Sequence, residues 1–396
     1  MRHTKVIGPM MVGLMVCVLG MGLLLPVHVQ AIKEVTPTPS PDAPAQATQT
    51  PDATALPDGS LDDQLGAAYD AFEQGDYQEA VDLTTAIAEQ YPDAAEAYLL
   101  RGIAYTQLNN VNRAIDDFTR AIRILPYDWT AYTFRAAAYV QSDKIGEALD
   151  DYDTAIELNP RYAPAFTGRA QILDAQGDSQ NAQIDQLIAE GITRMEREDF
   201  AGAISKFTQA IDVDETPERR VANAYYNRAL AHYSLRDLDA AIEDYGAAIE
   251  HDPNMHDAYL GRGIAYREVE ETAKAGVDFA KRIELLAENT AEDTLDIGVS
   301  VDVDMSYGQV YHFTFEGTAG QRVDLLVKDV SQVGVDPLIA LLDPDGTPIA
   351  GDDDMGGVLD SLVENFELPA DGTYTLVVSH ANGGYDGRLS VIVSEN

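Results

Sequence analysis

A chain of 396 residues is long enough for two or three domains. It carries 67 acidic against 26 basic residues, a formal charge of −41, which repels phosphate backbones and anionic lipid surfaces and argues against nucleic acid as a partner. The single cysteine, Cys17, leaves no intrachain disulfide and no multi-thiolate metal site.

The chain opens with a short basic start, Arg2 and Lys5, then an apolar run from Val6 to Val27, then Val29-Gln30-Ala31. That order reads as a secretory signal peptide over residues 1–31, cleaved after Ala31. The competing reading is an uncleaved N-terminal anchor, because the run is long enough to span a bilayer. Both readings make the remainder secreted or extracytoplasmic, with no membrane insertion beyond that anchor. Val16 precedes Cys17, where a lipid-attachment motif needs a small residue, so a lipoprotein is disfavoured. Residues 32–60, rich in Pro, Thr, Ala, Gln and Asp, have little to bury and read as a disordered linker.

Beyond residue 60 the chain repeats itself. Tyr98, Arg101, Gly102, Tyr105, Ala114, Phe118, Ala121 and Pro126 recur 34 residues later as Tyr132, Arg135, Ala136, Tyr139, Ala148, Tyr152, Ala155 and Pro160. Further copies carry Tyr225, Arg228, Ala241, Tyr245 and Pro253, then Tyr259, Arg262, Gly263, Ala275 and Phe279. Small residues suit helix crossings, large ones fill the spaces beside them, and proline ends the second helix. This pattern resembles the tetratricopeptide repeat over about residues 61–289. The resemblance implies an α-solenoid of helix-turn-helix pairs that binds a protein or peptide partner in a groove lined by each first helix. The groove positions it implies are occupied here by Leu99, Leu100, Ile103, Phe134, Val140, Tyr226, Leu230 and Tyr233. These are apolar or tyrosine residues suited to an extended or helical segment; the alternative is that they pack repeat against repeat. The lysine and asparagine with which related repeats clamp a terminal carboxylate are absent, since Leu99, Ile103, Thr133 and Ala137 stand at those places.

The chain departs from the family pattern where leucine is usual. Arginine stands there, with an aspartate sixteen residues on: Arg101 with Asp117, Arg135 with Asp151, Arg169 with Asp185, Arg228 with Asp244, Arg262 with Asp278. One copy reverses the signs, Glu190 with Lys206, and the first has Ala67 with Leu83. Charges that switch together predict a contact between the two helices of a repeat. The fourth and fifth registers start at Ala163 and Ile184, too close for separate pairs, so a single helix over 179–197 is expected to serve both. That divides the array into lobes 61–189 and 184–289.

From about Thr294 the period changes to two, with Val299, Val301 and Val303 alternating with polar residues. Short runs follow at Val310–Phe315, Arg322–Val327, Pro337–Leu342, Ser361–Leu368, Thr373–Ser379 and Arg388–Val393. They predict an antiparallel, jelly-roll-like β-sandwich over 290–396 and make the whole chain a multidomain α + β protein. Tyr311–Phe315 with Ala319-Gly320-Gln321, Asp336–Gly346, Asp352-Asp353-Asp354 and Asp371–Tyr374 resemble the bacterial pre-peptidase C-terminal domain, an accessory module of secreted proteins. Asp343, Asp345, Asp352, Asp353 and Asp354 flank one hairpin and would suit a calcium ion; ordinary turn chemistry places the same residues there.

No nucleophile with its base, phosphate loop or zinc motif is present, so no enzyme and no organic cofactor are expected. His251 and His256, beside Asp257, flank one turn and are as well explained by solvation as by a metal. The expectation is an exported scaffold whose repeats capture a protein partner and whose sandwich docks to envelope, matrix or partner. The alternative is an adhesive protein whose sandwich binds a polymer, with the repeats as spacer.

Overall fold

The computed structural model describes residues 59–213, 219–306, 308–331, 335–353, 360–380 and 387–395. The signal expected over 1–31 and residues 32–58 of the linker expected over 32–60 therefore lie outside the described residues, as does Asp354. Among the described residues thirteen helices come first: α1 Leu61–Gln74, α2 Tyr77–Gln90, α3 Ala95–Gln107, α4 Val111–Ile124, α5 Trp129–Gln141, α6 Ile145–Leu158, α7 Ala163–Ala175, α8 Ser179–Met195, α9 Phe200–Val213, α10 Arg219–Ser234, α11 Leu238–His251, α12 His256–Glu268 and α13 Thr272–Leu286. The chain divides into two compact units, one ending at Ile172 and the other running on from Leu173.

In the first unit a capping box starts α1: Ser60 Oγ accepts from Asp63 N at 3.2 Å, and Asp63 Oδ2 accepts from Ser60 N at 2.8 Å. Each first helix then turns into its second through one residue in the left-handed region. Gly75 opens the series at φ 85°, and Asn109 and Asp143 hold φ 59° at the same place one and two repeats on. An L-residue there costs roughly 1–2 kcal/mol, which the packing on either side must offset. The core of this unit is continuous from Leu65 and Phe72 through Ile87, Leu100 and Ile103 to Phe118.

Predicted charge pairs join the two helices of several repeats. Arg101 Nε and Nη2 donate to both oxygens of Asp117 at 2.8 and 2.7 Å, and Arg135 does the same to Asp151 at 2.8 and 2.8 Å. The remaining Nη1 of each reaches sixteen residues backward, to Thr85 and Thr119 at 3.2 Å. One guanidinium thus ties three helices, a use of its planar fork that lysine cannot match. In the second unit Arg228 repeats the arrangement with Asp244 and with Thr208 at 3.0 Å, Arg262 bonds Asp278, and the reversed pair Lys206–Glu190 closes at 2.6 Å. Of the remaining expected pair, Arg169 bonds Asp153 in the first unit and Asp185 receives Arg220 in the second.

Helix α8 is unbroken from Ser179 to Met195 and packs on α9 and α10. The main division of the chain falls at Ile172, before this helix rather than across it, because Ile188, Gly191 and Ile192 turn inward in the second unit. Gly191, inside this helix, is fitted to its neighbour. A Cβ there would lie 2.3 Å from the ring of Phe207.

The second unit ends in two sheets built from β1 Asn289–Thr294, β2 Val301–Met305, β3 Gln309–Gly317, β4 Arg322–Asp329, β5 Pro337–Leu342, β6 Pro348–Asp353, β7 Asp360–Glu367, β8 Gly372–His380 and β9 Gly387–Glu395. The strand orders are β1-β3-β8-β5-β6 and β2-β9-β4-β7. Phe313, Phe315, Leu325, Val327, Tyr374, Leu376, Val391 and Val393 fill the space between the sheets. Two strands, β1 and β6, were not expected, and β1 pairs parallel to β3 rather than antiparallel.

The sandwich is not an independent module either. Only two residues separate α13 from β1, and α13 lies on the outer face of the five-stranded sheet. There Phe279, Ile283, Ala275 and Ile264 form one core with Val310, Leu338, Ala340 and Val377. The approach is so close that a Cβ on Gly276 would meet the Ala350 backbone at 2.6 Å. Arg267 of α12 adds an ion pair to Asp352 and a hydrogen bond to the Asp353 carbonyl.

Candidate protein-binding face of the repeats

The residues expected to line an apolar groove are mostly interior. Leu99, Leu100 and Ile103 belong to the core of the first unit, and Tyr226 to the core around Tyr245 in the second. Phe134 stacks on Phe118 with ring centroids 5.8 Å apart, and Leu230 packs against the Tyr245 core. Tyr233 is half-buried, and its hydroxyl donates to Glu268 at 2.5 Å. Val140 is half-buried as well. In these places the stacking of one pair on the next consumes the apolar surface, so the exposed face is not the hydrophobic stripe expected.

On the first-helix side of the first unit a different set comes together. The Tyr69 hydroxyl of α1 donates to Glu96 Oε1 of α3 at 3.2 Å. Asp128 caps α5, accepting from the Thr130 amide at 2.9 Å. Burial pushes the Glu96 carboxyl above its ordinary range, Asp62 and Asp128 push it the same way, and the Tyr69 hydrogen bond opposes them. Burial also raises the Tyr69 hydroxyl, and Glu96 and Asp128 add to the shift. Sequence reasoning passed over these residues because it looked for apolar positions. The available signal was Asp62 and Glu96, two carboxylates one repeat apart near the start of successive first helices.

Among the described residues the acids of the hairpin converge on no cation site, and Asp354 lies outside them. Asp343 accepts from the Asp345 and Thr347 amides at 2.9 and 2.8 Å, forming the turn between β5 and β6. Asp352 binds Arg267 and accepts from the Leu362 amide at 2.8 Å, while Asp353 Oδ1 lies 3.9 Å from the same guanidinium. These carboxylates make the hairpin turn and fasten the sandwich to the helices. His251 stacks on Tyr225 with centroids 5.4 Å apart, and His256 Nδ1 faces Asp257 at 3.0 Å. Among the described residues no group of three metal-ligating side chains converges, and no helix is long and apolar enough to cross a membrane. A polar hollow of about 430 Å³ lies on the outer face of β1, β3 and β8, lined by Glu292, Asp293, Thr294, His312, Thr314 and Thr375.

Family models of the tetratricopeptide repeat match residues 65–128, 135–185 and 222–255. These segments are tetratricopeptide repeats. The repeat region is similar to the protein SGT1 homolog of Oryza sativa subsp. japonica, 41% identical over 83 residues, 20% of this chain and 22% of that protein. It is also similar to the small glutamine-rich tetratricopeptide repeat-containing protein 2 of Saccharomyces cerevisiae, 32% identical over 111 residues, 28% of this chain and 31% of that protein. The chain thus spans less than a third of either relative. Among solved structures, a crystal structure of MamA aligns with 55% of this chain and 93% of its own at 19% identity and a TM-score of 0.27. The matching models describe a repeat scaffold rather than a catalytic domain.

Proposed function

We propose that the protein is an exported, non-enzymatic scaffold whose tetratricopeptide repeats hold a partner protein, with the C-terminal sandwich docking the assembly to envelope, matrix or partner. The observation that carries the reading is the first-helix side of the first unit. There Asp62, Tyr69, Glu96 and Asp128 form a polar, half-exposed surface while the aliphatic positions are spent on stacking. The signal-like N-terminus supports export. The resemblance of the sandwich to the pre-peptidase C-terminal domain supports its role as an accessory module. A photo-crosslinking amino acid at Ala137, two repeats on from Tyr69, tests the face. It should yield a discrete protein adduct in the native envelope, and the same group at the exposed Asp116 of α4 should not. Equal labelling from both positions, or none from Ala137, counts against the reading.

The polymer-binding alternative has one specific support, the polar hollow over β1, β3 and β8. Its hydroxyls and imidazole suit hydroxyl-rich chains, and His312→Ala with Thr314→Ala should then weaken co-sedimentation with insoluble polysaccharide. Unchanged co-sedimentation removes that support.

A further inference from the structure

The ligand of the sandwich can be taken one step further, on the footing that the sandwich binds a polymer. We propose that the hollow over β1, β3 and β8 is a subsite for an amino-bearing sugar unit of a polysaccharide, with the protonated amine set against Glu292 and the ring hydroxyls against a row of threonines. Strand register brings these groups together. Glu292 of β1 stands beside His312 of β3, and two residues further on Thr294, Thr314 and Thr375 stand side by side on β1, β3 and β8. Neighbouring strands lie about 4.8 Å apart, and two residues advance a strand by about 6.6 Å. The floor is therefore a carboxylate and an imidazole next to a line of three hydroxyls, at a spacing comparable with one sugar ring.

The outer face of this sheet changes character along its strands. Under α13, β3 and β8 present Val310 and Val377; beside it they present His312, Thr314 and Thr375 to the hollow. These three side chains are half-buried, yet among the described residues only Thr314 makes a hydrogen bond, a long one of 3.4 Å to the Asp293 carbonyl. Asp293 turns its carboxylate back to the Thr294 amide at 2.8 Å, which leaves Glu292 as the acid open to a ligand. None of the lining residues is lysine, arginine or aromatic, so a sugar is held by hydrogen bonds and charge rather than by stacking. With the chain at −41, a uronate, sulfate or phosphate polymer is repelled and an amine is attracted. A lysine-rich peptide shares the charge but offers it at the end of a flexible stem. An amino sugar carries amine and hydroxyls together on one rigid ring, as the two rows of the hollow require.

The test uses the full-length protein and three fluorescein-labelled oligomers of equal length, of glucosamine, of N-acetylglucosamine and of lysine. Fluorescence anisotropy is read in dilute neutral buffer with the wild type, Glu292→Gln, Thr314→Val/Thr375→Val and Asp116→Asn. The last variant removes one charge from an exposed position in the first unit. Retained circular dichroism establishes that each variant is folded. The glucosamine oligomer should bind the wild type, lose about tenfold in affinity with Glu292→Gln, roughly fivefold with Thr314→Val/Thr375→Val, and about twofold or less with Asp116→Asn. The acetylated oligomer, with hydroxyls but no charge, should bind the wild type about tenfold more weakly. The lysine oligomer should be indifferent to Thr314→Val/Thr375→Val. No binding of the glucosamine oligomer, equal loss in Glu292→Gln and Asp116→Asn, equal affinity for the acetylated oligomer, or no loss with Thr314→Val/Thr375→Val overturns the proposal. A matching loss of the lysine oligomer with Thr314→Val/Thr375→Val overturns it in favour of a peptide. Co-sedimentation with a neutral insoluble polysaccharide separates the two readings. If it depends on His312 and Thr314 while the glucosamine oligomer fails, the amine is wrong and polymer binding stands; if both fail, polymer binding falls as well.

Discussion

Replacing Arg135 with alanine is the sharpest probe of the repeat interior. The guanidinium makes two hydrogen bonds to Asp151 and one to Thr119, and it lies over the rings of Tyr132 and Tyr139 at 5.5 and 5.7 Å. The two side chains are 15% and 8% exposed, so the pair is neither a surface bridge nor a fully dry one. Exposed pairs contribute about 0–1 kcal/mol, and breaking a buried one costs roughly 3–5 kcal/mol. An intermediate loss of about 2–3 kcal/mol is expected, most of it from leaving Asp151 without its donors. Asp151→Ala should cost a similar amount, and the double alanine variant clearly less than the sum, with a coupling of about 1–2 kcal/mol. Because repeat arrays unfold in parts, the reading should come from hydrogen exchange in α5 and α6 as well as from urea melts. The chain supplies its own control in Glu190 and Lys206, so Arg135→Glu with Asp151→Lys should recover part of the loss. Additive single losses, or protection unchanged in α5 and α6, would refute the contact as a stabilising one.

Three further outcomes follow from the structure. Gly191→Ala should destabilise the second unit by about 1–3 kcal/mol despite alanine's better helix propensity, because the new methyl meets Phe207; adding Phe207→Leu should return much of it in a thermal melt. A chain ending at residue 289 should bind a hydrophobic dye and self-associate in size-exclusion chromatography, since Phe279 and Ile283 lose the sheet that covers them; a monomer without dye binding refutes the shared core. Glu96 has a folded pKa raised above its ordinary 4.5, so the folded state holds more protons just above that value and stability falls as pH rises through the raised pKa. Glu96→Gln should flatten that slope in thermal melts taken upward from pH 4.5, and an unchanged slope shows that Glu96 is not its source.

The helical half was legible because its physics is local. Tyr98, Gly102, Phe118 and Pro126 occupy fixed places in a repeat, and the Arg135–Asp151 contact could be read from charges that change sign together. The face was less legible because a residue such as Leu99 or Tyr226 looks the same whether it meets a ligand or the next repeat. Deciding between them needs the spacing of helices, which no single repeat encodes. In the sandwich, β1 was missed because Asn289–Thr294 is polar at every position but Ala291 and is held by parallel pairing to β3 rather than by an alternating face. The covering of the sheet by α13 did leave a mark. Pro337–Leu342 is apolar at every position, as a strand buried on both faces must be, and a one-sided sandwich strand would alternate.

The shared interior of α13 and the five-stranded sheet also limits how such a chain can change its length. A repeat array usually ends in a helix with a polar outer surface, and pairs can be added or lost before it. Here the last pair is shaped to a sheet, through Gly276 against Ala350 and Arg267 against Asp352. Duplicating that pair would place a glycine-bearing, sheet-shaped helix against another helix, and transplanting the strands alone would carry Leu338, Ala340 and Val377 bare into solvent. New repeats can therefore enter this architecture only upstream of α12, and the final pair and the strands are inherited as one piece.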